Sequence, residues 1–171
     1  MQKSTLDTDF SYSLFGSEKS VLIDSKVCEK FARPILLMLR AAEAAKKFLV
    51  KENASSVTIF IGKGNNGEDG LCLAALLRIE NIETHVIDLD YKNRPETQAY
   101  RLCLNLEINI KKYNTKIIPK ADWYVDAIFG IGLNRNITGN YLSAVNYLQC
   151  SKSKKILSLD IPSGLHGSRG N

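Results

Sequence analysis

Apolar residues follow a helical period early in the chain and form strand-like runs after it. From about Asp24 to Val50 they recur every three or four positions, as at Leu39, Ala42 and Ala45, which predicts one or two helices. The β-branched and aromatic run SVTIFIG then predicts a strand, and DGLCLAALLRI returns to the helical period after a polar loop. The pattern therefore predicts a strand, a loop and a helix in succession.

The same alternation continues to the end of the chain. THVIDLD predicts a second strand, PETQAYRLCLNLEI a helix with proline near its first turn, and IKKYN a short edge strand. WYVDAIFG, TGNYLSAVNYLQC and KKILSLDIPSG predict a strand, a helix and a last strand. Such alternation is typical of right-handed βαβ crossovers. The predicted fold is α/β and Rossmann-like, with three layers: a mainly parallel sheet and helices on both faces.

Composition is that of one globular domain. The chain has 171 residues, of which 44% are hydrophobic and 24% charged, enough for a core of its own. We therefore expect a single domain over 1–171, with 1–23 as an N-terminal extension. The first ten residues lack the apolar stretch of a secretory signal, and no apolar run approaches the roughly 20 residues that span a bilayer. These features predict a cytoplasmic protein.

Charge and cysteine usage restrict the classes of partner. Lysine and arginine exceed aspartate and glutamate by 23 to 18, but no continuous basic stripe with interleaved aromatics is present, which argues against nucleic-acid binding. With two histidines and no CxxC pair, a His/Cys metal site is not favoured. The cysteines are expected to be buried free thiols. They are Cys28, Cys72, Cys103 and Cys150.

Three polar, glycine-rich loops follow predicted strands. They are Gly62–Gly70 (GKGNNGEDG), Gly130–Gly139 (GIGLNRNITG) and Asp160–Gly164 (DIPSG). In an open parallel sheet, the loops at the carboxyl ends of the strands meet at one edge, where ligands bind. The sequence therefore predicts one composite site made of the three loops.

The first loop matches a dinucleotide-binding fingerprint in its spacing. GKGNNG has the form GxGxxG, and Asp88 or Asp90 at the end of the second strand could bind a ribose hydroxyl. This interpretation favours a nicotinamide-dependent oxidoreductase. However, Glu68 and Asp69 would stand at the start of the next helix, where they would compete with a pyrophosphate for the positive helix end.

Carboxylates and other oxygen ligands accumulate at the same edge. Asp69, Asp126 and Asp160 could place three carboxylates there, which is costly unless a cation or a bound proton offsets them. Asp126 lies within an apolar strand, where a buried carboxylate needs a partner. Asn66, Asp126 and Ser163 offer only oxygen ligands, which suit a hard cation.

Each of these residues also has a purely local interpretation. Asp69 could be a helix N-cap, and Asn65 and Asn66 could adopt left-handed conformations in a turn. Asp160 and Ser163 could stabilise the turn around the proline of DIPSG. The local sequence alone leaves these alternatives open.

Three ordered motifs carry a family resemblance. GKGNNGEDG, VDAIFGIGLNRNITG and DIPSGL resemble the NAD(P)HX epimerase family, also called the YjeF N-terminal domain, from about Asp24 to the end of the chain. The chain departs from the family pattern at Leu39, where a glutamate is usual, and at Glu68, where glycine is typical. The second change predicts either a stiffer loop or an altered approach of its backbone to the ligand. Family domains also continue with further strands beyond DIPSGL, and many carry a second, dehydratase domain.

The resemblance implies an isomerase that interconverts the S and R forms of hydrated NADH and NADPH, with a potassium ion in the site. It implies potassium ligands at Asn66, Asp126 and Ser163. The implied substrate-binding residues are Asn65, Asn66, Gly67, Glu68, Asp69, Gly130, Ile131, Gly132, Leu133, Asn134, Arg135, Asn136 and Asp160. The substrate is a small molecule; neither nucleic acid nor membrane is an expected partner. A homodimer, and a dehydratase domain in a longer protein, are compatible with the family.

Asp160 is our choice for the catalytic acid and base. Inversion at the hydroxyl-bearing ring carbon can proceed by loss of water to an iminium ion and re-addition from the other face, with ring opening at the same carbon as the alternative route. The rival class is a non-catalytic module, because the same fold serves as a scaffold domain in mRNA-decapping factors. The presence of Asn66, Asp69, Asp126 and Ser163 beside Asp160 favours the enzyme.

Overall fold

The computed structural model describes Leu22, Lys26 and residues 34–150 and 155–165. Within these ranges the strands are β1 (Ser56–Ile61), β2 (Glu83–Asp88), β3 (Asn109–Lys112), β4 (Trp123–Ala127) and β5 (Lys155–Ser158). The helices are α1 (Pro34–Lys51), α2 (Asn65–Ile79), α3 (Gln98–Asn105) and α4 (Gly139–Gln149), and a 3₁₀ turn covers Tyr91–Asn93. Each predicted strand is found, including the short edge strand β3, which begins one residue earlier than predicted.

The five strands form one parallel sheet in the order β3-β2-β1-β4-β5. The chain first moves outward from β1 to β3 and then returns to the other side of β1. The order therefore reverses between β1 and β4, and the loops that leave these two strands diverge at their carboxyl ends. In α/β sheets, this switch point is where ligands bind.

Both faces of the sheet are covered, as the apolar runs predict. Along β1, Ile59 and Ile61 contribute to a cluster that contains apolar residues of α1, α2 and α3. Phe60, between them, belongs to a second cluster with Ala144 and Leu148 of α4. Because successive residues of β1 are buried on opposite faces of the sheet, the last three residues of the strand form a continuous apolar run. The α/β, three-layer prediction is confirmed.

Several predicted boundaries differ from those observed. Helix α2 begins at Asn65, four residues before the predicted start at Asp69. Thr97 is the N-cap of α3, and its Oγ1 accepts a hydrogen bond from the Tyr100 amide at 3.2 Å. Pro95 therefore precedes this helix instead of lying in its first turn. The predicted helical residues before Pro34 lie outside the described residues, apart from Lys26.

The cysteines are only partly as predicted. Cys72 and Cys103 are buried free thiols, and burial raises the pKa of each to about 12, so they stay protonated and unreactive. Cys150 is exposed, because it follows the last turn of α4, and the expectation of burial is wrong there. Cys28 lies outside the described residues. No helix in the described ranges is long and apolar enough to cross a bilayer.

Candidate functional site

The loop after β1 turns directly into α2 at Gly64. This glycine is the N-cap, with extended backbone, and its carbonyl oxygen accepts hydrogen bonds from the amides of Gly67 at 2.9 Å and Glu68 at 3.2 Å. Asn65 and Asn66 are consequently helical, which excludes the alternative of left-handed conformations in a turn. Asp69 lies inside the helix, which excludes the alternative that it is the N-cap.

Two glycines of GKGNNG are required by packing. A Cβ atom on Gly62 would lie 2.0 Å from the carbonyl oxygen of Ile128, and one on Gly67 would lie 1.9 Å from the carbonyl oxygen of Gly62. Gly64, by contrast, has open space where its Cβ would be. The fingerprint-like spacing thus brings the start of α2 close to the carboxyl ends of β1 and β4.

Asp126 finds its partner in the loop after β5. Its Oδ1 accepts a hydrogen bond from Ser163 Oγ at 2.6 Å, and its Oδ2 accepts one from the Ser163 amide at 2.8 Å. Ser163 Oγ also accepts a hydrogen bond from the Phe129 amide at 2.9 Å. Ser163 therefore does more than stabilise its own turn, since it joins the loops after β4 and β5.

Burial raises the pKa of Asp126 above its ordinary value of 3.8, although hydrogen bonds from Ser163 and Ile128 oppose the rise. A raised folded pKa means that the folded state holds this proton more tightly than the unfolded chain. The associated stability is fully present below about pH 3.8 and is lost as the pH rises through the folded pKa. Near neutral pH, a cation beside the carboxylate would offset that loss.

Asn66 is a buried amide whose side chain has no hydrogen-bond partner in the part of the chain that the structure describes. It is 8% exposed, and neither Oδ1 nor Nδ2 has a hydrogen-bond partner among the described residues. Leaving such a group unpaired costs about 1–3 kcal/mol. A buried amide oxygen, a carboxylate and a hydroxyl are suitable ligands for a hard cation, so the residues present fit the ion that the family resemblance implies.

Asp160 has an unusual backbone and ties two loops together. Its φ of 67° is in the left-handed region, and its Oδ2 accepts a hydrogen bond from the Ile131 amide at 2.8 Å. A Cβ atom on Gly130 would lie 2.2 Å from that same oxygen, so glycine leaves room for the carboxylate. The carboxylate thus bonds to the loop after β4, in contrast to a role confined to the proline turn.

A cavity of about 550 Å³ opens beside these loops. Of the predicted substrate-binding residues, Gly132, Leu133, Asn134 and Arg135 line it. The other lining residues are Lys63, Gly64, Asp90, Ile128, Phe129 and Tyr141. The predicted residues that do not line it are Asn65, Asn66, Gly67, Glu68, Asp69, Gly130, Ile131, Asn136 and Asp160. The sequence had not singled out Lys63, Phe129 or Tyr141.

The carboxylates after β1 and β2 have separate partners. Asp88 is fully buried and receives two hydrogen bonds from Arg94, at 2.7 and 3.0 Å, so of the two candidates for binding a ribose hydroxyl it is the one already engaged within the protein. Asp90 lines the cavity and lies 3.8 Å from Lys63 Nζ. Glu68 turns inward, where Thr97 Oγ1 and Arg94 donate to its carboxylate.

Asp69, Asp126 and Asp160, the carboxylates predicted at this edge, do not form a metal-binding cluster of their own. In the described part of the chain, no three His, Cys, Asp or Glu side chains come together as a metal-binding group. Asp126 is held within the protein by Ser163, and Asp160 is held by the Ile131 amide, so each carboxylate is stabilised separately. Any cation here would depend on amide and hydroxyl ligands as well.

The sequence model of the family described as YjeF-related protein N-terminus matches residues 35–171. The NAD(P)H-hydrate epimerase of Lentilactobacillus buchneri is 31% identical over 161 residues, which cover 90% of this chain and 74% of that protein. The NAD(P)H-hydrate epimerase of Levilactobacillus brevis is 33% identical over 144 residues, 80% of this chain and 65% of that protein. The matched part of the chain thus spans 74% and 65% of the length of these two relatives.

Two further similarities concern a longer protein and a solved structure. The bifunctional NAD(P)H-hydrate repair enzyme Nnr of Coxiella burnetii is 32% identical over 142 residues, 78% of this chain but 28% of that protein. The crystal structure of the yeast ynu0 protein superposes with a TM-score of 0.78 at 20% identity, covering 90% of this chain and 72% of that one. The latter similarity concerns the fold.

Proposed function

Because this chain belongs to the family of YjeF-related protein N-termini, we propose that it interconverts the S and R epimers of hydrated NADH and NADPH. The proposal is supported by relatives named NAD(P)H-hydrate epimerase at 31% and 33% identity. The single observation that carries it is Asp160, a carboxylate bonded to the Ile131 amide at the edge where β4 and β5 end. Asp160 does not line the cavity itself, but its partner Ile131 adjoins the lining residue Gly132, so the carboxylate is held close to where a substrate would bind and could exchange a proton.

In the proposed reaction Asp160 acts first as an acid and then as a base. The protonated carboxyl gives its proton to the hydroxyl on the ring carbon next to nitrogen, and the hydroxyl leaves as water. The ring nitrogen supplies the electron pair that forms the iminium ion. Water then adds to the opposite face and returns a proton to the Asp160 carboxylate, so no electrons are gained or lost.

The cavity has groups that suit a dinucleotide. Arg135 and Lys63 are cations that would pair with a pyrophosphate, and the rings of Phe129 and Tyr141, whose centroids are 5.0 Å apart, offer an apolar wall for a planar group. Asp90 would accept hydrogen bonds from hydroxyls. The cavity volume of about 550 Å³ is within the range of small-molecule sites.

Potassium is proposed as the cation of this site, with Asn66, Asp126 and Ser163 as the residues that would hold it. The ion would supply a positive charge that offsets the buried carboxylate of Asp126. The support is chemical: Asn66 lacks a described partner, and the carboxylate retains acceptor capacity beyond its bonds to Ser163. Since these residues come from the first turn of α2, from β4 and from the segment after β5, the ion would also hold these elements together.

Potassium is expected to raise the melting temperature, and more so at neutral than at acidic pH. Potassium favours ionised Asp126, whereas protons compete with it below the raised folded pKa. At 100 times its dissociation constant, a ligand stabilises by about 2.7 kcal/mol. The measurement is thermal unfolding in potassium and in tetramethylammonium chloride, from pH 4 to about pH 7.5.

Asn66→Ala should remove this potassium effect, whereas Asn65→Ala, which changes the exposed neighbour, should retain it. Equal melting temperatures of the unchanged protein in both salts at neutral pH would contradict the proposed ion.

The activity itself is tested by incubating one purified epimer with the protein and separating the epimers by chromatography. The proposal predicts conversion to the other epimer without any change in redox state. Net formation of oxidised nucleotide would instead favour the dehydrogenase that the GxGxxG spacing suggests. Binding without conversion would favour a scaffold module.

A further inference from the structure

A buried arginine stands behind the loop that connects β1 to α2. The Arg94 side chain is 1% exposed and makes contacts with three separate elements. It donates to both oxygens of Asp88 at the end of β2, at 2.7 and 3.0 Å. It also donates to the carbonyl oxygen of Gly62 at 2.6 Å and lies 3.4 Å from Glu68 Oε1 in the first turn of α2.

Two of these contacts, with Gly62 and Glu68, hold the loop, and the bonds to Asp88 anchor the guanidinium to the end of β2. Gly62 is the first residue after β1, and its carbonyl oxygen is also the atom against which Gly67 packs. Arg94 therefore holds one end of the loop through Gly62 and the other through Glu68. The residues between them include Asn66, whose amide has no described partner.

The network extends in two further directions. The hydroxyl of Thr97, the N-cap of α3, donates a hydrogen bond to Glu68 Oε2, so α3 is connected to the first turn of α2. Asp88 Oδ1 also accepts a hydrogen bond from the Asp90 amide at 2.8 Å, which fixes a residue of the cavity wall. A planar guanidinium can make such divergent bonds at once, whereas an ammonium group cannot.

We propose that Arg94 is a positioning residue, which sets the conformation of the loop 62–69 through Gly62 and Glu68 and fixes the cavity wall through Asp88. It does not touch the reacting atoms. The inference rests on the proposed function only in that this loop serves the substrate and the ion. Glu68, where the family pattern has glycine, thereby gains a specific role as the acceptor that joins Arg94 and Thr97.

The test is Arg94→Lys, which keeps the positive charge for Asp88 but cannot maintain the bonds to Gly62 and Glu68 as well. Backbone amide hydrogen exchange of peptides covering 62–69 is expected to quicken about tenfold or more, while exchange in β4 stays unchanged. Epimerisation should fall through kcat more than through KM. Arg101→Lys is the matched control, since Arg101 is exposed and pairs only with Glu96 at 3.3 Å among the described contacts.

Glu68→Gln provides a second variant should Arg94→Lys not fold, because the amide keeps the shape of Glu68 and an acceptor for one partner. It should quicken exchange in the same peptides. Unchanged loop exchange in a folded variant, with a uniformly lower stability, would overturn the proposal and leave Arg94 a structural ion-pair residue. Hydrogen exchange needs no substrate, so an inactive unchanged protein would refute the proposed function without deciding this inference.

Discussion

Asp160→Asn is expected to lower the rate of epimerisation by about 10²- to 10⁴-fold, the usual loss on removing one general acid or base. The fold should survive. Asparagine tolerates the left-handed backbone found at this position, where φ is 67°, and its side-chain oxygen can still accept the bond from the Ile131 amide. The amide cannot exchange the proton that the reaction needs, so turnover falls while most substrate affinity remains.

Asp122→Asn is the control for this substitution. Asp122 accepts hydrogen bonds from the amide and hydroxyl of Ser55 at the opposite, amino-terminal edge of the sheet. The Asp122→Asn variant should be slightly less stable than the unchanged protein and should keep its rate of turnover. Near-normal turnover in the Asp160 variant would move the acid and base role away from this residue, with Asp69 as the next candidate. A large decrease in the melting temperature of the Asp160→Asn variant would instead indicate that Asp160 is a structural residue of the turn.

Gly67→Ala should destabilise the protein by about 1–3 kcal/mol or more, even though alanine is about 1 kcal/mol better than glycine within a helix. The new Cβ would lie 1.9 Å from the carbonyl oxygen of Gly62, so α2 or the end of β1 must shift. Because Arg94 bonds that same oxygen, the shift also disturbs the loop. Denaturant unfolding measures the loss, and the response to potassium should weaken with it.

Gly64→Ala is the matched control on the same loop. Its Cβ meets nothing within 4 Å, and its φ of −85° is available to any residue. The free energy of unfolding of the Gly64→Ala variant should change by less than about 1 kcal/mol, because alanine and glycine differ only modestly at an N-cap. If both alanine variants lost the same stability, close packing would not explain the glycine at position 67.

The sheet and the helices that cover it could be predicted, because burial on both faces leaves a visible pattern in the sequence. The run SVTIFIG became β1, with Phe60 on one face and Ile59 and Ile61 on the other. The start of α2 could not be predicted from its own residues. Asn65, Asn66 and Gly67 are poor helix formers, and the close packing of Gly67 against the Gly62 carbonyl is a tertiary constraint that their local sequence does not show.

The candidate site was predictable in part for a similar reason. Asp126 in an apolar strand signals that a partner must exist, and the structure identifies Ser163 as that partner. Arg94 gave no such signal, because it stands in the polar stretch YKNRPET, which has the composition of an ordinary loop. Its importance depends on the burial of Glu68 and Asp88, which only the three-dimensional packing reveals.

The most direct measurement is the approach to epimer equilibrium from both sides, starting from purified S and purified R hydrated NADH and following each by chromatography. The proposal predicts that the protein accelerates both conversions to the same final ratio, in proportion to its concentration, with no oxidised nucleotide formed. It also predicts that Asp160→Asn, prepared and assayed in parallel, brings both rates close to the uncatalysed level. Rates that equal the uncatalysed ones with the unchanged, folded protein in potassium would contradict it.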